Sequence, residues 1–269
     1  MTDYPSLITS LQNARVKQVV ALQQKSSERR KTGLFVVEGI REISHCQSAG
    51  YQLDSIFWCK ELCNRWHPSE CSISPVYEVT SSVYAKIAYR DTTEGLLAVV
   101  RSRQMTLSDL QLPDNALLMV LESVEKPGNL GAVLRSADAA GADAVVVCDP
   151  LTDLYNPNLI RASIGAVFTV PTVACTSEEC IDFLKRHSIR ILTAQLQDSS
   201  LYYDTDMRHS TAIVMGTEST GLTRQWREAA DAHIRIPMSG RLDSLNVSVS
   251  AAILLFEAVR QRQIPTSIN

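Results

Sequence analysis

Beyond residue 116 the chain repeats one pattern: a short strand-like segment, often apolar throughout, then a longer segment with helical spacing. Strands are expected at 117–121, 144–148, 169–174, 190–194, 212–216 and 233–236. Helical spacing fills about 130–140, 156–166, 177–187, 222–231 and 245–262. A strand that is apolar on both faces must be covered on both faces, and strands joined by helices of this length run parallel. The pattern predicts an α/β domain in which helices cover a parallel sheet.

The first hundred residues read differently. A helix is expected over 7–24, a strand at "GLFVVEG" (33–39) and a helix over 40–49. Strands at "DSIFWC" and 76–79, a helix over 81–88 and a strand at "GLLAVVR" (95–101) complete a small α/β unit. The polar, Pro-containing stretch "SRQMTLSDLQLPDN" makes a boundary. This divides the chain into residues 1–105, a linker at 106–115 and a second domain at 116–269. No internal repeat or low-complexity tract interrupts either part.

Composition narrows the class. Hydrophobic content of 45% and charge of 20% are those of an ordinary globular protein. No apolar run approaches the ~18 residues that a membrane span needs, so no membrane partner is expected. "MTDYPSLITS" carries neither a basic n-region nor an apolar h-region, and no secretory signal is expected. Seven cysteines, an odd number, predict reduced thiols in a cytoplasm.

The net charge of −3 hides an asymmetry. Residues 1–110 hold 13 basic against 11 acidic side chains, and residues 111–269 hold 13 against 18. Arg15, Lys17, Arg29, Arg30, Lys31 and Arg41 crowd the first 41 residues and are candidates for RNA phosphate contacts. A solvated helix face would leave the same composition. Cys59, Cys63, His67 and Cys71, spaced four apart, are zinc-type ligands. Steps of four carried along a helix do not converge on one ion, and Pro68 would break that helix, so no metal is expected.

Three landmarks carry the chemistry. In "LESVEKPGNLGAVLRSADAAGADAVVV" (121–147) a strand runs through a Pro-Gly-Asn turn into a helix with apolar face Leu130, Val133, Leu134 and Ala137. A polar loop at the carboxyl end of a parallel strand is where open α/β sheets bind ligands. "IVMGTESTGLTRQW" (213–226) sets Glu218 between Gly216 and Gly221, where glycine permits close approach of a ligand. "RLDSLNVSVSAAILLFEAVRQR" (241–262) starts with the period-2 alternation of a strand and ends as a helix closed by Arg260 and Arg262. Neither a G-x-G-x-x-G nor a G-x-x-x-x-G-K-[ST] fingerprint occurs.

In this order, "PGNLGAVLRSADAAGADAV", "VMGTESTGL" and "IPMSGRLDSLNVSVSAAILLFE" resemble the SpoU (TrmH-type) RNA ribose methyltransferases of the SPOUT superfamily. "NARVKQVVAL", "FVVEGIRE" and "TTEGLLAVV" extend the resemblance over the N-terminal half. It implies a parallel-sheet domain with a deep trefoil knot, preceded by a small RNA-binding domain like those of ribosomal proteins. It also implies a homodimer, S-adenosylmethionine as methyl donor and an RNA ribose as acceptor. Relatives with these motifs use ribosomal and transfer RNA, and the detached N-terminal domain favours ribosomal RNA. The same chemistry on transfer RNA and a non-catalytic RNA-binding protein are the alternatives. In the family the "SLNVSVS" segment is the knotted strand entering the last helix.

The resemblance also assigns residues. Gly216, Ile236 and Leu245 stand where the family encloses its cofactor, with Met238 and Ala194 as neighbours. Arg135 takes the catalytic position. A guanidinium stays protonated above pH ~12, which suits holding a phosphate and stabilising a developing 2′ alkoxide better than removing a proton. Asn129, Glu218, Ser244 and Asn246 would orient Arg135, substrate or cofactor, with both subunits contributing.

Overall fold

The computed structural model describes residues 6–70, 75–89, 94–217, 220–241 and 244–263. The chain forms two compact units, one from Met1–Arg103 together with Asp153–Thr169, the other from Gln104–Thr152 together with Val170–Asn269. The division at 106–115 therefore misses a segment. Asp153–Thr169 sits between two strands of the second unit in sequence but packs within the first. The stretch 106–115 is also more than a tether, since Leu107, Leu110 and Leu112 pack on the second unit's core.

The first unit holds β1 (Ser6–Ile8), α1 (Ala14–Gln24), α2 (Ser26–Thr32), β2 (Leu34–Glu38), α3 (Ile40–Ser48), β3 (Leu53–Trp58), β4 (Val76–Val79), α4 (Ser81–Ile87) and β5 (Leu96–Arg101). Its sheet has the order β1-β4-β3-β5-β2, with β5 antiparallel to both neighbours. The helix expected from residue 7 starts only at Ala14, where the Asn13 side chain accepts the Arg15 N–H at 2.9 Å. The three residues Ser6–Ile8 pair instead with Tyr77, Glu78 and Val79. A ladder to a strand seventy residues away leaves no local signature, so the apolar Leu7 and Ile8 read as helix. The basic stretch 26–32, for which no element was expected, is a helix ended by Gly33 at φ 65°.

The second unit runs β6 (Leu117–Glu122), α5 (Pro127–Ala140) and β7 (Ala144–Cys148). After α6 (Pro157–Ser163) and α7 (Ala166–Thr169) of the first unit, it continues with β8 (Thr172–Cys175), α8 (Ser177–Arg186), β9 (Arg190–Ala194), β10 (Ser200–Leu201), β11 (Thr211–Met215), α9 (Arg224–Ala229), β12 (Ala232–Arg235) and α10 (Val247–Gln263). Among the described residues its sheet has seven strands, order β10-β12-β9-β11-β6-β7-β8, and every pairing is parallel. Burial on both faces explains the unbroken apolar runs: every residue of β6, β7 and β11 is buried.

Two boundaries moved for local reasons. The strand expected at 169–174 begins at Thr172, because Ala166–Thr169 continues as helix up to Val170 and Pro171. The strand-like alternation after Leu245 is not a strand. Val247 opens α10, and Asn246 caps it, its Oδ1 accepting the Ser248 N–H at 2.9 Å. Ser and Asn at a helix start can mimic the alternation of a strand, and the cap decides. At the far end Arg262 donates to the carbonyls of Asn115, Ala116, Met207 and His209, tying α10 to the start of β6. No helix among the described residues is long and apolar enough to cross a membrane.

Candidate active site

β6, β7 and β8 step outward in one direction, whereas β11, β9, β12 and β10 extend the sheet the other way. Open parallel sheets bind ligands beyond the carboxyl ends of strands at such a reversal. A cavity of about 450 Å³ lies on the β11 side of this reversal, at the carboxyl ends of β9, β11 and β12. All five positions assigned to the cofactor line it: Ala194, Gly216, Ile236, Met238 and Leu245, and Ser244 joins them.

Gly216 has a reason beyond ligand access. Thr217 and Gly221 form a β-bridge, so the chain folds back on itself directly after β11. A Cβ on Gly216 would overlap the Gly221 carbonyl and come within 2.6 Å of the Leu222 nitrogen. The glycine read as making room for a ligand makes room first for its own chain.

The assigned catalytic residues divide. Asn129 lies in the first turn of α5 and Asn246 caps α10, and the Asn246 amide donates to Asn129 Oδ1 at 3.2 Å. Because Asn246 Oδ1 also accepts the Ser248 hydroxyl at 2.6 Å, its amide nitrogen is the end left to face Asn129. Arg135 is exposed on α5 and, among the described residues, makes no hydrogen bond or ion pair and does not line the cavity. Glu218 lies outside the described residues.

The basic candidates divide as well. Arg29 is 6% exposed and is no free phosphate ligand. Its guanidinium pairs with Asp153 at 2.6 Å and donates to the carbonyls of Leu22 and Gln23. Lys17, Arg30 and Lys31 are exposed; Arg15 lies 4.3 Å from the centroid of the Tyr77 ring, and Arg41 pairs with Glu42 at 3.3 Å. Of the zinc-type set, Cys59 and Cys63 are buried in turns rather than on a helix, His67 bonds Ser69, and Cys71 lies outside the described residues.

Comparison with known proteins supplies the family. The model of the SpoU rRNA methylase family matches residues 116–256, and that of the MRM3-like substrate binding domain matches residues 13–98. The 23S rRNA (guanosine-2′-O-)-methyltransferase RlmB of Salmonella typhimurium is 34% identical over 91% of this chain and 96% of its own. The chain belongs to the SpoU rRNA methylase family. A second relative is the 23S rRNA (uridine(2479)-2′-O)-methyltransferase of Streptomyces viridochromogenes, 29% identical over 95% of this chain and 92% of its own. The AdoMet-bound rRNA methyltransferase from Sinorhizobium meliloti superimposes with TM-score 0.86 at 28% identity, covering 95% of this chain and 97% of that one.

Within this SpoU methylase, sequence reasoning missed part of the cavity wall. Leu196, Thr217, Leu222, Arg227 and Arg235 also line it. Arg227 is held in place, donating from Nε and Nη2 to the Leu222 carbonyl at 3.1 and 2.9 Å. Glu122 anchors Thr223, the residue that follows the wall residue Leu222. Only 2% exposed at the end of β6, its carboxylate accepts the Thr223 N–H at 2.8 Å and the Thr223 hydroxyl at 2.6 Å. It is also within 3.4 Å of the Ser177 hydroxyl, which accepts the Trp226 indole N–H. A Glu ending an otherwise apolar buried strand was the available signal, because a buried carboxylate needs donors.

Proposed function

We propose that this protein transfers the methyl group of S-adenosylmethionine to a ribose 2′-hydroxyl of ribosomal RNA. The observation that carries the reading is the convergence of Ala194, Gly216, Ile236, Met238, Leu245 and Ser244 on one cavity in a chain of the SpoU family. Relatives named for a guanosine and for a uridine share only the ribose 2′-oxygen as acceptor, so the ribose and not the base is the common chemistry. The cavity's volume and its mix of apolar side chains with glycine suit an adenosine-sized ligand read by main-chain groups.

When bound, the cofactor supplies an electrophilic methyl on a sulfonium. In this reading Gly216, Ile236 and Leu245 enclose it, with Ala194 and Met238 beside them. Arg135 holds a backbone phosphate and stabilises charge growing on the 2′ oxygen. Asn129 and Asn246 fix each other across the start of α5 and α10, and Ser244 and Glu218 orient the ligands. The first 105 residues present RNA to this site, with Arg15, Lys17, Arg30, Lys31 and Arg41 as phosphate contacts. The family-model match over 13–98 supports that role. Work on ribosomal RNA puts the protein in the cytoplasm.

Two finer features belong to the same proposal. The segment at 244–246 threads an earlier loop to make the trefoil knot, and the Asn246–Asn129 bond and the packing of α10 along α5 are in keeping with it. The active form is a homodimer whose subunits share the site. Leu245, Val249 and Phe256 are 38%, 47% and 48% exposed, an apolar row for a second copy to cover. The test is methyl transfer from labelled S-adenosylmethionine to 23S rRNA, followed by alkaline cleavage. Ribose methylation leaves a bond resistant to cleavage at the next phosphate. Label recovered on a base, or none at all, overturns the proposal, and a sedimenting monomer with full activity overturns the shared site.

A further inference from the structure

Away from the cavity, the second unit gathers three cysteines that the reading above leaves without a role. Cys148 ends β7, Cys175 ends β8, and the two are direct cross-strand partners in the ladder. Side chains at paired positions leave a sheet on the same face. Cys180 comes from the first turns of α8. The three sulfurs lie within 4.8 Å of one another.

Their surroundings are those of a binding site with one open side. Cys148 and Cys180 are fully buried, while Cys175 is half-buried and lines a second cavity of about 620 Å³ with Thr106, Leu107, Phe183 and His187. Thiols brought together from two strand ends and a helix, with Cys148 far in sequence from the other two, offer sulfur donors on three sides and access on the fourth.

We propose that Cys148, Cys175 and Cys180 form a binding site for a thiophilic d10 metal ion, such as Zn²⁺ or Cu⁺. An ion about 2.3 Å from each sulfur needs the sulfurs about 4 Å apart, so the observed spacing requires only a small contraction. Soft thiolates select Zn²⁺ and Cu⁺ over hard cations. Cu⁺ is satisfied by the three sulfurs alone, and Zn²⁺ takes a water as fourth ligand from the side that Cys175 opens. Thiol protons leave to solvent as the ion enters. The site ties the carboxyl ends of β7 and β8 to α8, a structural role separate from methyl transfer. The Cys59, Cys63, His67 and Cys71 spacing looks more like a metal motif in sequence, yet it is this unpatterned trio that the fold assembles.

The test uses the full-length protein, reduced, stripped with a chelator, kept anaerobic and titrated with Co²⁺ as a visible probe. Thiolate-to-cobalt charge-transfer bands should saturate at one equivalent and be bleached by Zn²⁺. In a second arm, the protein should take Cu⁺ from a chromophoric chelator at the same stoichiometry. Cys175→Ser, chosen because its side chain is half-exposed, should weaken either ion at least 100-fold while cofactor binding persists, and Cys59→Ala should change nothing. No saturable band together with no Cu⁺ uptake overturns the proposal. So does a signal that survives both Cys175→Ser and Cys180→Ala, or a disulfide within the trio under anaerobic reduction.

Discussion

The two groups of residues proposed for ligand binding fared differently once folded. The cofactor set, scattered from Ala194 to Leu245, converges on a single cavity. The basic set, packed into the first 41 residues, comes apart: Arg29 is buried against Asp153, Arg15 sits over Tyr77, and only part of the cluster faces solvent unengaged. Closeness in sequence is a poor guide to shared function, because a helix points successive residues 100° apart. Strand ends of one parallel sheet, by contrast, bring distant residues to one edge. A run of cations says nothing of which one the core will use.

The strongest test of this contrast is Gly216→Val. Its side chain would collide with the Gly221 carbonyl, and overpacking of this kind costs about 1–3 kcal/mol or more. Calorimetry should detect no S-adenosylmethionine binding, while the first unit keeps its fold. Unaltered affinity would break the claim that this fold-back shapes the cavity. Next comes Arg135→Ala, expected to slow methyl transfer about 100- to 1,000-fold, the usual loss when a charge-stabilising donor is removed, with little change in cofactor affinity. Arg135→Lys should not restore the rate, because a point charge lacks the planar fork. A rate near wild type in either variant would remove Arg135 from the mechanism.

Within the basic set, Arg29→Ala should behave unlike its neighbours. Removing one partner of a buried ion pair costs about 3 kcal/mol, so chemical denaturation should show a destabilised first unit. Arg30→Ala combined with Lys31→Ala should leave stability unchanged. It should instead flatten the salt dependence of RNA binding by about 1 in slope per lost phosphate contact. A stable Arg29→Ala protein would mean that the Asp153 pair contributes little. An unchanged slope in the Arg30/Lys31 variant would reduce those cations to a solvated face.

Some of this was legible before the fold was known. Apolar runs with helices between them determine a parallel sheet, since a strand buried on both faces carries few polar residues and each of those needs a partner. The order of "PGNLGAVLR", "VMGTESTGL" and "SLNVSVS" determines the family and the chemistry expected of it, because the groups that meet a cofactor are a small set of residue types at set intervals. Tertiary structure alone decided the rest. It paired Ser6–Ile8 with β4, drew Asp153–Thr169 into the first unit, buried Arg29, placed Glu122 behind Thr223 and brought Cys148, Cys175 and Cys180 together. Each of these rests on at least one contact between residues distant in the chain, Cys148 with the Cys175–Cys180 pair included. Local pattern reports the face a residue presents, but the partner that meets that face is chosen only when the whole chain has packed.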